Sequence, residues 1–144
     1  ALEAFGRALA VRRKALGEEH HDVALTLASI AGVHKKQGQN EQALEAYERA
    51  LAVRRKALGE EHPDVASTLK NMVGVYIKQR MHDKALELYA QTLALRRNVL
   101  GEEHPLVASV LVSMAEMYHE QDQDTEALEF YGRALAMKRK ALGE

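Results

Sequence analysis

Histidines, a recurring basic triplet and paired glutamates are the residues of this chain whose types and spacing could do chemistry. His20, His62 and His104 each follow a Glu-Glu pair, and His20-His21 with Glu18, Glu19 and Asp22 has the donor types of an opportunistic zinc site. The three Glu-Glu-His sets stand 42 positions apart, so they are not expected to converge on one ion. There is no cysteine and no His-Glu-x-x-His helix. Local hydrogen bonding in loops is the reading for these histidines, and no metal or cofactor is assigned. Catalysis finds as little footing: no serine sits in a nucleophile elbow, and no Gly-rich phosphate loop is present. The carboxylates are spread along solvated helix faces, with partners four residues away such as Glu45 and Arg49. The sequence is therefore read as non-enzymatic, without catalytic residues.

The basic triplets are Arg12-Arg13-Lys14, Arg54-Arg55-Lys56, Arg96-Arg97-Asn98 and Lys138-Arg139-Lys140. One reading is a basic stripe that contacts an acidic partner or nucleic acid. The structural reading is stronger, because cations near a helix C-terminus are favoured by its dipole. A formal net charge of −1 also disfavours nucleic-acid binding driven by bulk positive charge. In the series Leu44, Tyr47, Leu51, Arg54, Leu58 the arginine takes a slot on an apolar face. Arg12, Arg54 and Arg96 are accordingly expected to bury their stems between repeats and pair with a nearby carboxylate. On that expectation Arg54→Ala costs more stability than Arg55→Ala.

An internal repeat supplies the elements that hold these residues. The stretch Ala1 to His20 returns as Ala43 to His62 with 18 of 20 positions identical, then again from Ala85 and from Ala127, always at an offset of 42. A fixed period of this size signals a stacked solenoid rather than one closed core. Within 144 residues, 23 are Ala and 19 Leu, against no Trp and two Pro, which favours helix over an all-β fold. Apolar residues at 47% and charged residues at 28% fit a globular chain rather than a disordered one. Without cysteine there are no disulfides, which fits a reducing compartment, and a cytoplasmic location is expected. No apolar run approaches the ~20 residues that span a bilayer, so no membrane partner is assigned. No signal peptide is evident, and Ala1 falls in a mid-helix pattern, which reads as a segment of something longer.

Each period holds two helical patterns. Val65, Leu69, Met72, Val73 and Tyr76 recur at steps of three and four and define helix A; Leu44, Tyr47, Leu51 and Leu58 line helix B, with Ala43, Ala50 and Ala57 beside them. Gly17, Gly59, Gly101 and Gly143 follow each helix B and suit a left-handed stop. Pro63 and Pro105 suit the first turn of the next helix A, and Asp22 and Asp64 complement its positive end. The order expected is B 1–16, A 22–37, B 41–58, A 64–79, B 83–100, A 106–121 and B 125–142.

The helix pairs, the small residues at Ala43 and Ala85 and the tyrosines Tyr76 and Tyr118 resemble the tetratricopeptide repeat, although the period exceeds that family's usual ~34 residues. Leu51 to Leu69 (LAVRRKALGEEHPDVASTL) and Leu93 to Leu111 (LALRRNVLGEEHPLVASVL) look like the longer repeats of kinesin light chain. The resemblance implies an all-α fold, a right-handed α-solenoid of antiparallel helix pairs with seven helices. It divides the chain into a partial repeat 1–21 holding helix B only, then repeats 22–63, 64–105 and 106–144. It also implies a concave face lined by A helices that takes an extended peptide. The asparagine pair that kinesin light chain repeats use for the peptide backbone is matched here only at Asn71; Ala28 and Ser29, Lys70, and Val112 and Ser113 fill the remaining places. The turn glycine persists at Gly38 and is replaced by Arg80 and Asp122, and the aromatic near the start of helix B is replaced by Asn40, His82 and Asp124.

Carried onto each helix A, the resemblance places a peptide-binding lining at Ser29, Lys36, Ser67, Lys70, Asn71, Lys78, Ser113 and Glu116, with Leu25, Gly32, Gly74 and Glu120 among their neighbours. The lining runs from basic to acidic. A bound peptide is expected to have its acidic end near Lys36, Lys70 and Lys78 and its basic end near Glu116 and Glu120. Gly32 and Gly74 cost a helix roughly 1 kcal/mol each against Ala, tolerated either for close helix packing or to leave a gap for a ligand. The leading reading is a non-enzymatic protein-interaction module within a larger scaffold or adaptor, with a protein or peptide partner. The alternative is a structural spacer whose ends stack without a peptide ligand, through Leu2, Phe5 and Leu9 at one end and Leu128, Tyr131 and Leu135 at the other.

Overall fold

A computed structural model describes residues 1–16 and 20–143. Seven α-helices account for the regular structure among them: α1 (Leu2–Leu16), α2 (His21–Lys36), α3 (Asn40–Leu58), α4 (Pro63–Lys78), α5 (His82–Leu100), α6 (Pro105–Glu120) and α7 (Asp124–Ala141). Each end lies within one residue of the expectation from the period. α1, α3, α5 and α7 are the B helices, and α2, α4 and α6 the A helices. Residues 1–80 form one compact unit, carrying α1 to α4, and residues 81–144 a second, carrying α5 to α7.

Local chemistry sets the helix ends. Every A helix opens on a histidine N-cap: His20, His62 and His104 have extended backbone, and each Nδ1 accepts the N–H two residues on, from Asp22, Asp64 and Leu106, at 3.1 Å. Pro63 and Pro105 follow at the first helical position, where no N–H is needed. The Glu-Glu-His sets are thus helix starts, with the imidazole as the capping acceptor; Glu18 and Glu19 lie outside the described residues. Every A helix then ends in a turn whose second residue has positive φ, at Gly38 (77°), Arg80 (60°) and Asp122 (61°). Loss of glycine at two of these turns has not changed the turn. The B helices stop at Gly59 and Gly101, with φ/ψ of 87°/162° and 98°/157°. That is not the left-handed helical region expected from sequence but the extended positive-φ region, which glycine alone occupies readily. Gly17 lies outside the described residues.

In the first unit Leu9, Val23, Leu27 and Ala50 form a buried cluster joining α1, α2 and α3, with Ala28 and Ile30 against it. In the second, Leu93, Val107, Val110, Leu111, Met114 and Ala134 do the same for α5, α6 and α7. Of the B-helix alanines expected to let helices approach, Ala43 and Ala50 are fully buried, as is Ala85, whereas Ala57 is exposed near the end of α3.

One expectation fails. Leu2, Phe5 and Leu9 are not an open end face: Leu9 is buried in the cluster with Val23 and Leu27, and Leu2 and Phe5 are half-buried. The exposed residues of α1 include Ala4 and Val11. The apolar stripe read from α1 was correct, but it is the stripe that α2 covers. Leu128, Tyr131 and Leu135 of α7, by contrast, are exposed as expected.

Candidate functional site

The candidate lining residues occupy the outward face of the A helices. A position on that face recurs every three to four residues, the side away from the buried Val65, Leu69 and Met72. On α2 this places Leu25 and Lys36 in solvent and Ser29 at partial exposure. On α4, Ser67, Lys70, Asn71 and Lys78 are all exposed. On α6, Glu116 and Glu120 are exposed and Ser113 half-buried.

Within the first unit the faces of α2 and α4 lie side by side. The ammonium of Lys35 stands 3.8 Å from where a Cβ on Gly74 would be, and a Cβ on Gly32 would meet nothing within 4 Å. Neither glycine is required by helix packing, which removes one of the two reasons for their presence. What they leave is bare helical backbone flanked by Lys35, Lys36, Lys70, Asn71 and Lys78.

The serines are less available than the sequence implies. Ser29 Oγ donates to the Leu25 carbonyl at 3.0 Å, inside its own helix, which leaves it as an acceptor for a ligand. Ser113 is hydrogen-bonded to the Tyr89 phenol of α5. Burial, followed by the charges of Glu116 and Glu120, holds the Tyr89 hydroxyl above its ordinary range against that bond. The phenol therefore stays a neutral donor beside the two carboxylates expected from sequence; Tyr89 itself was missed because it belongs to a B helix. At the end of the same face, His119 Nδ1 meets Asp124 Oδ1 at 2.9 Å, and this hydrogen bond raises the affinity of the imidazole for its proton.

The junction between each B helix and the following A helix is built differently. Arg54 donates to Thr68 Oγ1 at 2.7 Å, and that hydroxyl donates to the Asp64 carbonyl at 2.7 Å. Arg12 reaches the Thr26 hydroxyl and the Asp22 carbonyl (3.2 Å) in the same manner. Arg96, buried, donates to the Leu106 carbonyl at 3.1 Å, with Val110 where the other copies have threonine. Arg96 is buried and Arg12 and Arg54 are partly buried, and the bonds of Arg12 and Arg54 described above go to hydroxyl and carbonyl oxygen. The carboxylate is taken by the next residue: Arg55 grips the buried Glu60 with two bonds of 2.8 and 3.1 Å, and Arg97 approaches Glu102 at 3.2 Å. No helix among the described residues is long and apolar enough to cross a membrane.

The family model of the tetratricopeptide repeat matches residues 1–56, 22–76 and 64–140. The chain belongs to the tetratricopeptide repeat family. Among solved structures, this tetratricopeptide repeat chain is similar to a protein of Podosopora anserina described as a kinesin light chain with nearly identical TPR-like repeats. The two share 26% identity over 97% of this chain and 66% of that one, with a TM-score of 0.71. BtubC (BKLC) of P. vanneervenii shares the fold, at 23% identity over 99% of this chain and 57% of that one, with a TM-score of 0.67. So does the N-terminal domain of stress-induced protein-1 of C. elegans, at 17% identity over 83% and 87% of the two chains, with a TM-score of 0.56. This chain therefore spans about two thirds or less of the two kinesin-light-chain-like structures. No curated protein matches the sequence. The repeats are of the long, kinesin-light-chain-like type, in an all-α repeat solenoid, and the architecture is that of a protein-interaction scaffold.

Proposed function

We propose that the outward faces of the A helices bind extended peptide segments of a partner protein, and that the chain serves as one piece of a larger cytoplasmic scaffold or adaptor. The observation that carries this reading is the open backbone at Gly32 and Gly74, which no packing contact explains and which adjoins exposed Lys70 and Asn71. A side-chain amide both donates and accepts, so Asn71 suits a peptide backbone, and Ser67 adds a hydroxyl beside it. Lys36, Lys70 and Lys78 favour acidic side chains on the α2–α4 face. On α6, Glu116 and Glu120 with the Tyr89 phenol favour a basic segment, and Ser113 acts there by orienting Tyr89 rather than by touching ligand.

A peptide-display selection on the folded chain, counter-screened against Lys70→Glu with Asn71→Ala, tests the reading. A shared acidic motif that the double variant no longer retains is expected. Gly32→Ala with Gly74→Ala adds a second arm. Each change is expected to stabilise the chain by about 1 kcal/mol, yet together they should weaken the selected peptide several-fold by filling the gap. Enrichment that survives both sets of substitutions would remove this face from consideration.

A further inference from the structure

The joint between α5 and α6 is closed more loosely than the one between α3 and α4. In the earlier joint Arg55 grips Glu60 with bonds of 2.8 and 3.1 Å, and the Glu60 side chain is 4% exposed. Arg97 and Glu102 hold the same places one repeat on. There Glu102 is 76% exposed, and its carboxylate lies 3.2 Å from the buried Arg97 Nε without the alignment of a hydrogen bond. The B helix that follows differs as well: the places of Arg133 and Lys140 on α7 are held by Gln91 and Asn98 on α5. The glutamate is buried on its arginine where the next B helix is neutral at these places. It stands in solvent where that helix brings two more cations.

These cations border a hollow of about 290 Å³ inside the second unit. Arg97, Arg133 and Lys140 line it with Glu102 and Glu103, and Leu111 and Met137 give it an apolar wall. Lys140 is paired with Glu103. Arg133 has no carboxylate partner among the described residues; its guanidinium lies over the Phe130 ring, 5.1 Å from the centroid. Helical spacing puts Arg133, Met137 and Lys140 on the side of α7 opposite Leu128, Tyr131 and Leu135, and Met137 packs on the cluster shared by α5, α6 and α7. The hollow is therefore framed by these three helices and the joint before α6, and it is separate from the exposed stripe of α7.

We infer that this hollow binds a phosphate monoester carried on an apolar stem, either a phosphorylated side chain of a partner or a small molecule. Two guanidinium forks and an ammonium suit the oxygens of a phosphate, which takes paired N–H bonds from arginine. With Glu102 in solvent, three cations stand against Glu103 alone. That excess matches a phosphate monoester, which carries about −1.5 to −2 at neutral pH, better than a carboxylate. Stacking on Phe130 fixes Arg133 without using its N–H groups, so they remain to donate to a ligand. Leu111 and Met137 meet the stem, which a bare phosphate lacks. None of these residues belongs to the outward faces of the A helices, and the inference stands apart from the peptide-binding reading.

The test is an NMR titration of the whole chain with phenyl phosphate, run beside inorganic phosphate, benzoate and a phosphotyrosine peptide. Saturable shifts confined to the surroundings of Arg97, Glu103 and Arg133 are expected with phenyl phosphate, at lower concentration than with inorganic phosphate or benzoate. Arg133→Gln, following Gln91 of α5, should weaken binding about tenfold, ~1.4 kcal/mol. Position 133 is exposed, so its thermal melt should match the parent. Glu102→Gln should tighten binding several-fold, a gain that a damaged fold cannot produce. A phosphotyrosine peptide that binds as well as phenyl phosphate assigns the group to a partner's side chain; a peptide that fails where phenyl phosphate binds assigns it to a small molecule. Absence of saturable shifts would overturn the inference, and so would binding that Arg133→Gln and Glu102→Gln both leave unchanged. Inorganic phosphate or benzoate matching phenyl phosphate would also overturn it, leaving an adventitious ion only.

Discussion

The junction where a B helix meets the next A helix and the outward face of that A helix share a helix yet differ in what fixes their residues. At the junction, Leu51 and Leu93 are buried, and where threonine becomes valine Arg96 still reaches the carbonyl of the next helix's first turn, as Arg12 does. On the outward face, the residue five before His34, Tyr76 and Tyr118 changes from Ser29 to Asn71 to Ser113, and the open glycine of two copies becomes Glu116 in the third. The first region can vary only where a neighbour can follow. The second is limited only by helix formation and solubility, so its differences are free to encode partners.

Three sets of substitutions press on this contrast, taken from the largest effect to the smallest. Leu51→Ala, in a covered junction, is expected to cost about 2–5 kcal/mol, while the equivalent Leu135→Ala on α7 stays within ~0.5 kcal/mol. Denaturant midpoints measure both, and equal losses would mean that the α7 face is not exposed as described above. Next come the arginines. Arg55→Ala removes two bonds to Glu60, whose side chain is 4% exposed, and should cost about 1–3 kcal/mol. Arg97→Ala strands the exposed Glu102 and should fall within ~1 kcal/mol. Arg54→Ala loses a bond to a neutral hydroxyl, about 1 kcal/mol, so Arg55 is expected to outweigh Arg54, the reverse of the order read from sequence. A ranking by differential scanning calorimetry with Arg54 first would restore the original assignment. The smallest effect sits at the turns. Arg80→Gly relieves a positive φ and should stabilise by about 1 kcal/mol; Asp122→Gly should gain less, because aspartate tolerates that region better. A melting temperature that falls with Arg80→Gly would show that the Arg80 side chain holds the turn by contacts of its own.

Much of the fold was legible because the period, the glycines after helix B and the prolines before helix A each report on local backbone, and local backbone is what a single sequence encodes most directly. The outward-face residues were named from the resemblance to kinesin light chain repeats, and helical spacing accounts only for Lys70, Asn71 and Lys78 sharing one exposed face. What the sequence did not reveal depends on which neighbour arrives. The histidine caps required knowing that the residue before Pro63 turns its ring back onto the helix start, although its place just ahead of a first-turn proline was an available signal. The exchange of partners between Arg54 and Arg55 depends on where Glu60 folds, and the attachment of Ser113 to Tyr89 on the packing of α5 against α6. The stripe of Leu2, Phe5 and Leu9 was read correctly as apolar and wrongly as open, because periodicity identifies a face without saying whether a neighbour already lies on it.

The joint Gly-Glu-Glu-His has a consequence for inheritance. It follows a helix B whose first two copies agree at 18 of 20 positions, and it ends on the residue that caps the next helix A. A crossover anywhere within those matched stretches would remove or add 42 residues and rejoin a glycine stop to a histidine cap with no new contact to invent. Repeat number could thus drift by recombination at little cost in folding, while each event reshuffles which outward faces stand next to one another.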